Sequence, residues 1–186
     1  MVSKNKTTIG VFGGSFSPVH LGHQQVTRAV LEQGIVEQIW LLPCKKHTFG
    51  KTMQDTSERL RCLNKLIIGL PKEMRTKVRI EKWELEQEAL SISYQTLLAL
   101  KRRQPEFAYK FIIGSDQVQD FPLWHDYQKL LREFEVLVYP RVPDLQPKLL
   151  PGMIFLQDLP TVNISSTQIR QLQAAGDESW RQLAII

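Results

Sequence analysis

Short apolar runs alternate with amphipathic segments along most of the chain. Runs at 9–12, 39–42, 109–113 and 135–139 each end at a glycine or a proline, as buried strands commonly do. Shorter runs at 78–80 and 154–156 predict two further strands. Between the runs, apolar side chains recur three and four positions apart, which predicts helices. These predicted helices follow the first strand as far as Gly34, run over 55–69, 93–104 and 123–134, and then cover 165–174 and a short stretch after 177.

Strands that alternate with helices predict an α/β fold. We expect a single domain over 1–186 with a Rossmann-like, doubly wound parallel sheet and helices on both faces. Ligands of such sheets bind beyond the carboxyl ends of the strands. The loops at 13–23, 43–47, 114–116 and 140–141 each follow an apolar run directly. These four loops are therefore expected to converge on one site.

The net charge of the chain indicates which kind of ligand to expect. The 186 residues carry a formal net charge of +5 at pH 7. Positive charge suits either nucleic acid or small polyanions such as nucleotides. The lysines and arginines are scattered and do not form a basic block with interleaved aromatic residues, so we favour a small polyanion and expect no nucleic-acid partner.

Composition also restricts the expected location. No apolar run approaches the roughly 20 residues of a membrane span, and no apolar segment of signal-peptide type follows the first charged residues. Two cysteines, Cys44 and Cys62, make neither a disulfide framework nor a zinc site. We therefore expect a cytoplasmic protein with reduced thiols, no membrane contact and no metal held by protein ligands. The oligomeric state is left open, a homo-oligomer included.

The glycine-rich turn after the first strand carries the first candidate chemistry. Gly13, Gly14, Ser15 and Phe16 lie between the strand and a helix, so backbone N–H groups and a helix N-terminus face the same point. Two histidines follow, three positions apart at the helix start, and their side chains point the same way. Taken separately, a glycine turn or a histidine pair is more often structural than catalytic.

The complete string is more specific. Residues 10–23 read Gly-Val-Phe-Gly-Gly-Ser-Phe-Ser-Pro-Val-His-Leu-Gly-His, which closely resembles the signature of the nucleotidyltransferase superfamily with an HxGH motif. Members bind a nucleoside triphosphate and join its α-phosphate to a phosphate-bearing acceptor. The resemblance implies that the turn approaches the triphosphate. It also implies that His23 stabilises the α-phosphate in the transition state and that His20 contacts the outer phosphates.

A second motif lies within 163–186. Ser165, Ser166 and Thr167 open a helix, where hydroxyl and backbone N–H groups either cap the helix or bind an anion. Arg170 follows about one turn later and can hold phosphate oxygens with two hydrogen bonds. Together with Ile164, this segment resembles the superfamily's ISSTxxR-type motif. The resemblance implies that 164–167 binds ATP and that Arg170 holds the outer phosphates during catalysis.

The middle of the chain narrows the family. Gly114 lets a ligand approach a strand end, Asp116 offers a carboxylate to a ribose diol, and Trp124 offers a flat ring for stacking. Helix capping by Asp116 and core packing by Trp124 are the structural alternatives. These residues resemble the IGxD segment and following tryptophan of bacterial nicotinate-mononucleotide adenylyltransferases, whose tryptophan stacks on the pyridine ring. Tyr94 and Thr96 lie in a segment similar to the SYxTL of that family, which implies contact with the nicotinate portion.

Two basic residues complete the candidate set. Lys46 lies in the loop where the resemblance places the acceptor, and we expect it either to contact the acceptor phosphate or to remain solvated. The loop at 43–51 departs from the proline-rich pattern of the family, which leaves other acceptors open. Arg141, after the fifth main strand, is expected either to line the nucleoside pocket or to be exposed.

The resemblance implies a reaction as well as a site. The 5′-phosphate of nicotinate or nicotinamide mononucleotide would attack the α-phosphorus of ATP and release pyrophosphate, as a step of NAD biosynthesis. Mg²⁺ would be bound through the ATP phosphates rather than by protein. Two alternatives remain: a sibling transferase that uses CTP or another phosphorylated acceptor such as phosphopantetheine, and a nucleotide-binding sensor without turnover.

Overall fold

In the part of the chain that the structure describes, six parallel strands form one sheet in the order β3-β2-β1-β4-β5-β6. The computed structural model describes residues 6–46, 53–88, 90–141 and 147–186. The chain runs outward from β1 to β3 on one side and then returns to lay β4 to β6 on the other. The strands are β1 (Thr7–Gly14), β2 (Gln38–Pro43), β3 (Val78–Ile80), β4 (Phe107–Gly114), β5 (Glu135–Tyr139) and β6 (Met153–Phe155). The predicted strands and the doubly wound α/β fold are confirmed.

Seven helices connect or flank these strands in the described part of the chain. They are α1 (Leu21–Glu32), α2 (Thr56–Ile68), α3 (Lys72–Arg75), α4 (Trp83–Glu86), α5 (Ser93–Arg103), α6 (Tyr127–Glu133) and α7 (Ser166–Ala174). Single 3₁₀ turns occur at Ser115–Gln117 and Phe121–Leu123, and a longer 3₁₀ segment covers Glu178–Gln182. The sequence pattern did not predict α3 and α4, because four residues are too few to show helical periodicity.

Alternate residues of each strand pack on opposite faces of the sheet. Phe12 and Ile112 face a core that also contains Val30 and Leu63, from α1 and α2. Val11, Phe111 and their neighbours face a second core completed by α5 and α6. Helices therefore cover both faces, as a parallel sheet of largely apolar strands requires. This arrangement leaves the carboxyl ends of the strands free to hold a ligand.

The predicted helix at 123–134 is shorter in the structure and begins only at Tyr127. Pro122 lies in a 3₁₀ turn, and the backbone of Trp124 is extended (φ −76°, ψ 141°). Asp126 then takes a left-handed conformation (φ 57°) before the helix starts. The break turns Trp124 out of the helical path, which a continuous helical pattern could not reveal.

The last described segment returns to the beginning of the chain. Ala184 forms an antiparallel bridge with His20, and the flanking hydrogen bonds join Leu21 N to Leu183 O and Ile185 N to Val19 O. The residues that lead into α1 are therefore held by the end of the chain. Within the described ranges, no helix combines the length and apolar character needed to cross a membrane.

Candidate active site

A cavity of about 240 Å³ opens at the carboxyl ends of β1, β2, β4 and β5. It lies where the strand order reverses between β1 and β4, which is the usual ligand position in doubly wound sheets. All four predicted loops contribute to its wall, although His47 lies outside the described residues. The predicted site residues that line it are Gly13, Gly14, Ser15, His20, His23, Lys46, Gly114, Asp116, Trp124, Arg141, Ser165, Ser166, Thr167 and Arg170.

The two histidines form a stacked pair at the N-terminus of α1. Their ring centroids lie 3.6 Å apart, with an angle of 28° between the ring planes. His23 Nδ1 accepts a hydrogen bond of 3.1 Å from the backbone N–H of His20. A neutral His23 must therefore carry its proton on Nε2. That nitrogen is the one available to donate to a phosphate oxygen.

Burial keeps both rings neutral in the free protein. Desolvation, with a smaller contribution from the charge of Arg141, lowers the pKa of His20 to about 3. Desolvation also lowers the pKa of His23 well below its usual value, with further contributions from His20 and Arg141. A neutral imidazole carries one N–H group, so each ring can offer one hydrogen-bond donor without carrying a fixed charge. A bound polyphosphate would raise both pKa values, since a nearby negative charge favours the protonated form.

The serine-rich N-terminus of α7 is attached to the glycine-rich turn. Ser165 caps the helix by accepting a hydrogen bond from Gln168 N at 3.0 Å. Ser166 Oγ donates to Pro18 O at 2.9 Å, and Arg170 Nη1 donates to Ser17 O at 2.6 Å. Capping by Ser165 is therefore observed, while anion binding by the motif, which lines the cavity, stays a prediction.

Asp116 and Arg141 form a charged pair at the cavity wall. The Arg141 Nε atom lies 3.7 Å from Asp116 Oδ1, and Ser115 Oγ accepts a hydrogen bond from Arg141 N at 2.9 Å. A side chain at Gly114 would collide with Asp116 and Arg141. The missing side chain at Gly114 thus creates the space in which these two groups meet.

The aromatic ring of Trp124 also lines the cavity. Trp124 stacks on Phe121, with a centroid distance of 5.0 Å and an interplanar angle of 29°. Its Nε1 is buried without a hydrogen-bond partner among the described residues. Phe121 is fully buried and thus holds Trp124 at the cavity wall.

Four predicted site residues lie elsewhere. Tyr94 points outward and donates to Glu133 at 2.8 Å, while Thr96 is buried and donates to Glu84 Oε1 at 2.7 Å. Neither side chain lines the cavity, because α5 begins at Ser93 and both side chains donate hydrogen bonds elsewhere; their acceptor contacts stay predictions. Phe16 packs beneath the turn with its ring centroid 4.8 Å from that of His23. Ile164 precedes the helix and does not reach the cavity wall described here.

Sequence reasoning missed several wall residues. Ser91, Ile92 and Ser93 line the cavity just before and at the start of α5, in place of Tyr94 and Thr96. Glu84 also lines it and is buried, and burial raises the pKa of its carboxyl group although hydrogen bonds from Thr96 and Ser91 oppose the shift. Ser91 Oγ in turn accepts from Lys45 N at 3.2 Å. The acidic stretch around Glu84 resembles a solvated helix in sequence, so nothing in the pattern indicates its burial.

The family of this chain is shown by its similarity to known proteins. Residues 11–172 match the family model described as cytidylyltransferase-like, and the chain belongs to that family. Within the family it belongs to the nicotinate-nucleotide adenylyltransferases. A Porphyromonas gingivalis protein named "Probable nicotinate-nucleotide adenylyltransferase" is 32% identical over 87% of this chain and 81% of its own length. A Streptococcus pyogenes protein of the same name is 34% identical over 92% of this chain and 80% of its own length.

A solved structure supports the same fold. The Plasmodium falciparum nicotinic acid mononucleotide adenylyltransferase, complexed with NaAD, superposes with a TM-score of 0.75. The alignment covers 89% of this chain and 83% of that one at 23% identity. At this identity the likeness speaks for the architecture of the sheet and its helices.

Proposed function

We propose that this protein transfers the AMP moiety of ATP to nicotinate mononucleotide and releases pyrophosphate, as a step of NAD biosynthesis. The observation that carries the proposal is the shared cavity. His23 at the start of α1, Arg170 on α7 and Trp124 beyond β4 all line it. The cavity therefore offers a phosphate contact at His23, a cation at Arg170 and a ring for stacking at Trp124. Two substrates bound side by side would need these three contacts.

The residues suit a reaction controlled by positioning and charge. The attacking 5′-phosphate oxygen is already an anion at neutral pH, so no general base is needed. It adds to the α-phosphorus of ATP, and the bond from that phosphorus to the bridging oxygen of pyrophosphate breaks. The Nε2–H of His23 donates to the α-phosphate, and His20 and Arg170 hold the outer phosphates. Such preorganised donors lower the barrier because they match charge that develops in the transition state.

The donor and the acceptor have separate binding surfaces in this proposal. Backbone N–H groups of 13–15 and hydroxyl groups of 165–167 bind the triphosphate, while Asp116 and Arg141 face the nucleoside. Trp124 stacks on the pyridine ring in this proposal, and Ile92 and Ser93 line the same cavity. Lys46 contacts the acceptor phosphate. The names of the relatives favour the carboxylate form of the pyridine over the amide.

Mg²⁺ enters the site with ATP in this proposal, as part of the substrate. The described residues contain no cluster of three or more His, Cys, Asp and Glu side chains that could hold a metal ion. Of the two carboxylates at the cavity wall, Asp116 faces Arg141 and Glu84 accepts from Thr96. The donor set therefore fits a metal held by phosphate oxygens and water.

We also propose a cytoplasmic location and a single domain. The buried free thiols of Cys44 and Cys62 suit a reducing compartment.

One assay tests the proposal against its alternatives. The purified protein is given Mg²⁺ and ATP with nicotinate mononucleotide, nicotinamide mononucleotide or phosphopantetheine, and pyrophosphate is measured; CTP replaces ATP in a parallel series. Pyrophosphate with nicotinate mononucleotide and ATP is the expected result. Release with nicotinamide mononucleotide and ATP would identify the amide form of the same reaction, whereas release only with CTP or with phosphopantetheine would identify a sibling transferase. ATP binding without release for any pair would identify a sensor.

A further inference from the structure

Arg59 is a buried arginine on α2 that no step of the proposed mechanism uses. Its side chain is 2% exposed. Nη1 donates to the carbonyl oxygens of Ser15 at 2.9 Å and Cys44 at 2.8 Å, and Nη2 donates to Thr56 Oγ1 at 3.2 Å. One guanidinium therefore holds two backbone carbonyls from separate parts of the chain.

These two carbonyls belong to the two loops that carry the substrates. Ser15 lies in the glycine-rich turn after β1, on the ATP side of the cavity. Cys44 follows β2 directly and precedes Lys46, on the acceptor side. Both residues line the cavity, and Cys44 N donates to Gly14 O at 3.0 Å. Arg59 thus lies behind the junction of the donor loop and the acceptor loop.

The surroundings of Arg59 are unusual for a buried cation. Within the described residues, no carboxylate oxygen lies within 4 Å of its guanidinium. Burial lowers the pKa of the group, although nearby Cys44 and Asp55 oppose the shift, and its Nε has no hydrogen-bond partner there. A buried charge without a counter-ion is costly, and an apolar side chain would pack at this point of α2 at lower cost. The two carbonyl contacts are the feature that an apolar side chain could not supply.

We propose that Arg59 is a positioning residue that fixes the separation of the donor and acceptor loops. The inference rests on the proposed function, because it assigns ATP to one loop and the acceptor to the other. Each substrate keeps its own contacts without Arg59, at Arg170 and Trp124 respectively. What Arg59 sets is the alignment of the attacking oxygen with the α-phosphorus. Its loss should therefore lower kcat much more than it raises either KM.

The size of the effect follows from the geometry of the reaction. Displacements of about 1 Å between reacting groups can reduce rates by about 10². We therefore expect Arg59→Met to lower kcat by roughly 10- to 100-fold, with both KM values within about threefold of the wild type. Arg59→Lys keeps the charge on a shorter side chain that reaches one carbonyl at a time. Its kcat should therefore lie between those of the wild type and of Arg59→Met.

The test combines kinetics with amide hydrogen exchange of the complete chain. Arg61→Met is the matched control, since Arg61 lies on the same helix, is 52% exposed and forms an ion pair with Glu58 at 3.9 Å. Exchange should increase at 13–17 and at 44–46 together in Arg59→Met, beyond any change in the strands of the sheet. Arg61→Met should leave both exchange and kcat unchanged.

The two readouts separate this inference from the proposed function. If the wild type releases no pyrophosphate, the proposed function fails, while exchange at the two loops still tests whether Arg59 holds them. Wild-type kcat in folded Arg59→Met, or an exchange increase spread evenly over the sheet, would overturn the inference. If Arg59→Met does not fold, Arg59→Lys decides the question: wild-type kcat and unchanged loop exchange in that variant would also overturn it.

Discussion

Arg170 Nη1 donates a 2.6 Å hydrogen bond to the carbonyl oxygen of Ser17, which lies 153 positions earlier in the chain. The contact brings the arginine of α7 to the turn that precedes His20 and His23. The second nitrogen, Nη2, donates to Thr167 Oγ1 at 3.1 Å. The guanidinium is therefore already oriented, and in the proposed function this would reduce the cost of ordering it when a phosphate binds.

Replacement of Arg170 by lysine should separate orientation from charge. A lysine keeps the positive charge but lacks the planar fork that can bond Ser17, Thr167 and a phosphate together. We expect kcat to fall by about 10², the loss typical of one transition-state donor, and unfolding free energy to fall by about 1 kcal/mol. Steady-state kinetics and urea unfolding measure the two effects. Arg181→Lys, at an exposed arginine paired with Glu178, is the control and should change neither.

Substitution of His23 tests which ring nitrogen acts. Glutamine can place its amide nitrogen near the position of Nε2, whereas asparagine reaches only the position of Nδ1. If the Nε2–H donates to the α-phosphate, His23→Asn should lower kcat by about 10² or more, and His23→Gln should retain several-fold more activity. Turnover is measured at saturating ATP and acceptor. Equal activity of the two variants would remove the proposed donor role of Nε2.

Trp124 should govern binding of the acceptor and not of ATP. Stacking of an aromatic side chain on a flat ring contributes about 1–3 kcal/mol. Trp124→Leu is therefore expected to raise the KM for nicotinate mononucleotide by about tenfold or more, while Trp124→Phe retains most of the affinity. The KM for ATP should stay within about threefold. Leu123→Ala, at the exposed neighbouring residue, is the control; an equal rise of both KM values in Trp124→Leu would assign the ring to packing.

The buried histidines should make the ligand-free protein sensitive to acid. The pKa of His20 is about 3 in the folded state and about 6.5 in an unfolded chain. Below pH 6.5 the unfolded state binds a proton that the folded state does not, so stability falls as the pH falls from 6.5 towards 3. Between pH 7 and 5 one such histidine accounts for about 2 kcal/mol.

The variant His20→Asn isolates that contribution. Its loss of unfolding free energy between pH 7 and 5 should be about 2 kcal/mol smaller than that of the wild type. Urea unfolding at the two pH values, without nucleotide, measures the difference. His125→Asn serves as the control, since its ring is exposed in the folded state. An identical pH dependence in wild type and His20→Asn would contradict the neutral, buried state of His20.

The sequence predicted the features that short-range patterns determine. Strands such as 39–42 are apolar runs bounded by proline or glycine, and they appear at those positions because local pattern and burial agree. The glycine turn and the paired histidines were recognisable because each lies within one short stretch, where spacing along the chain is enough to place the residues together. The convergence of distant loops also followed, since the carboxyl ends of parallel strands share one edge of the sheet.

The features that the sequence did not predict depend on contacts between residues that lie far apart in the chain. The position of Trp124 needs an extended residue inside a helical pattern, which its packing on Phe121 stabilises. The register of α5 decides that Ser93 and not Tyr94 meets the cavity. In the sequence, Arg59 resembles any polar residue of an amphipathic helix. Its contacts with Ser15 and Cys44 exist only in the folded chain. Each depends on packing between elements far apart in sequence.

The antiparallel bridge between Ala184 and His20 has a consequence for synthesis on the ribosome. His20 and His23 leave the ribosome well before Arg170 and Ala184, which contact Ser17 and His20 respectively in the folded chain. The cavity wall to which α7 contributes cannot form until that helix has been synthesised. If the proposed function holds, a nascent chain that ends before α7 should bind ATP much more weakly than one that includes it.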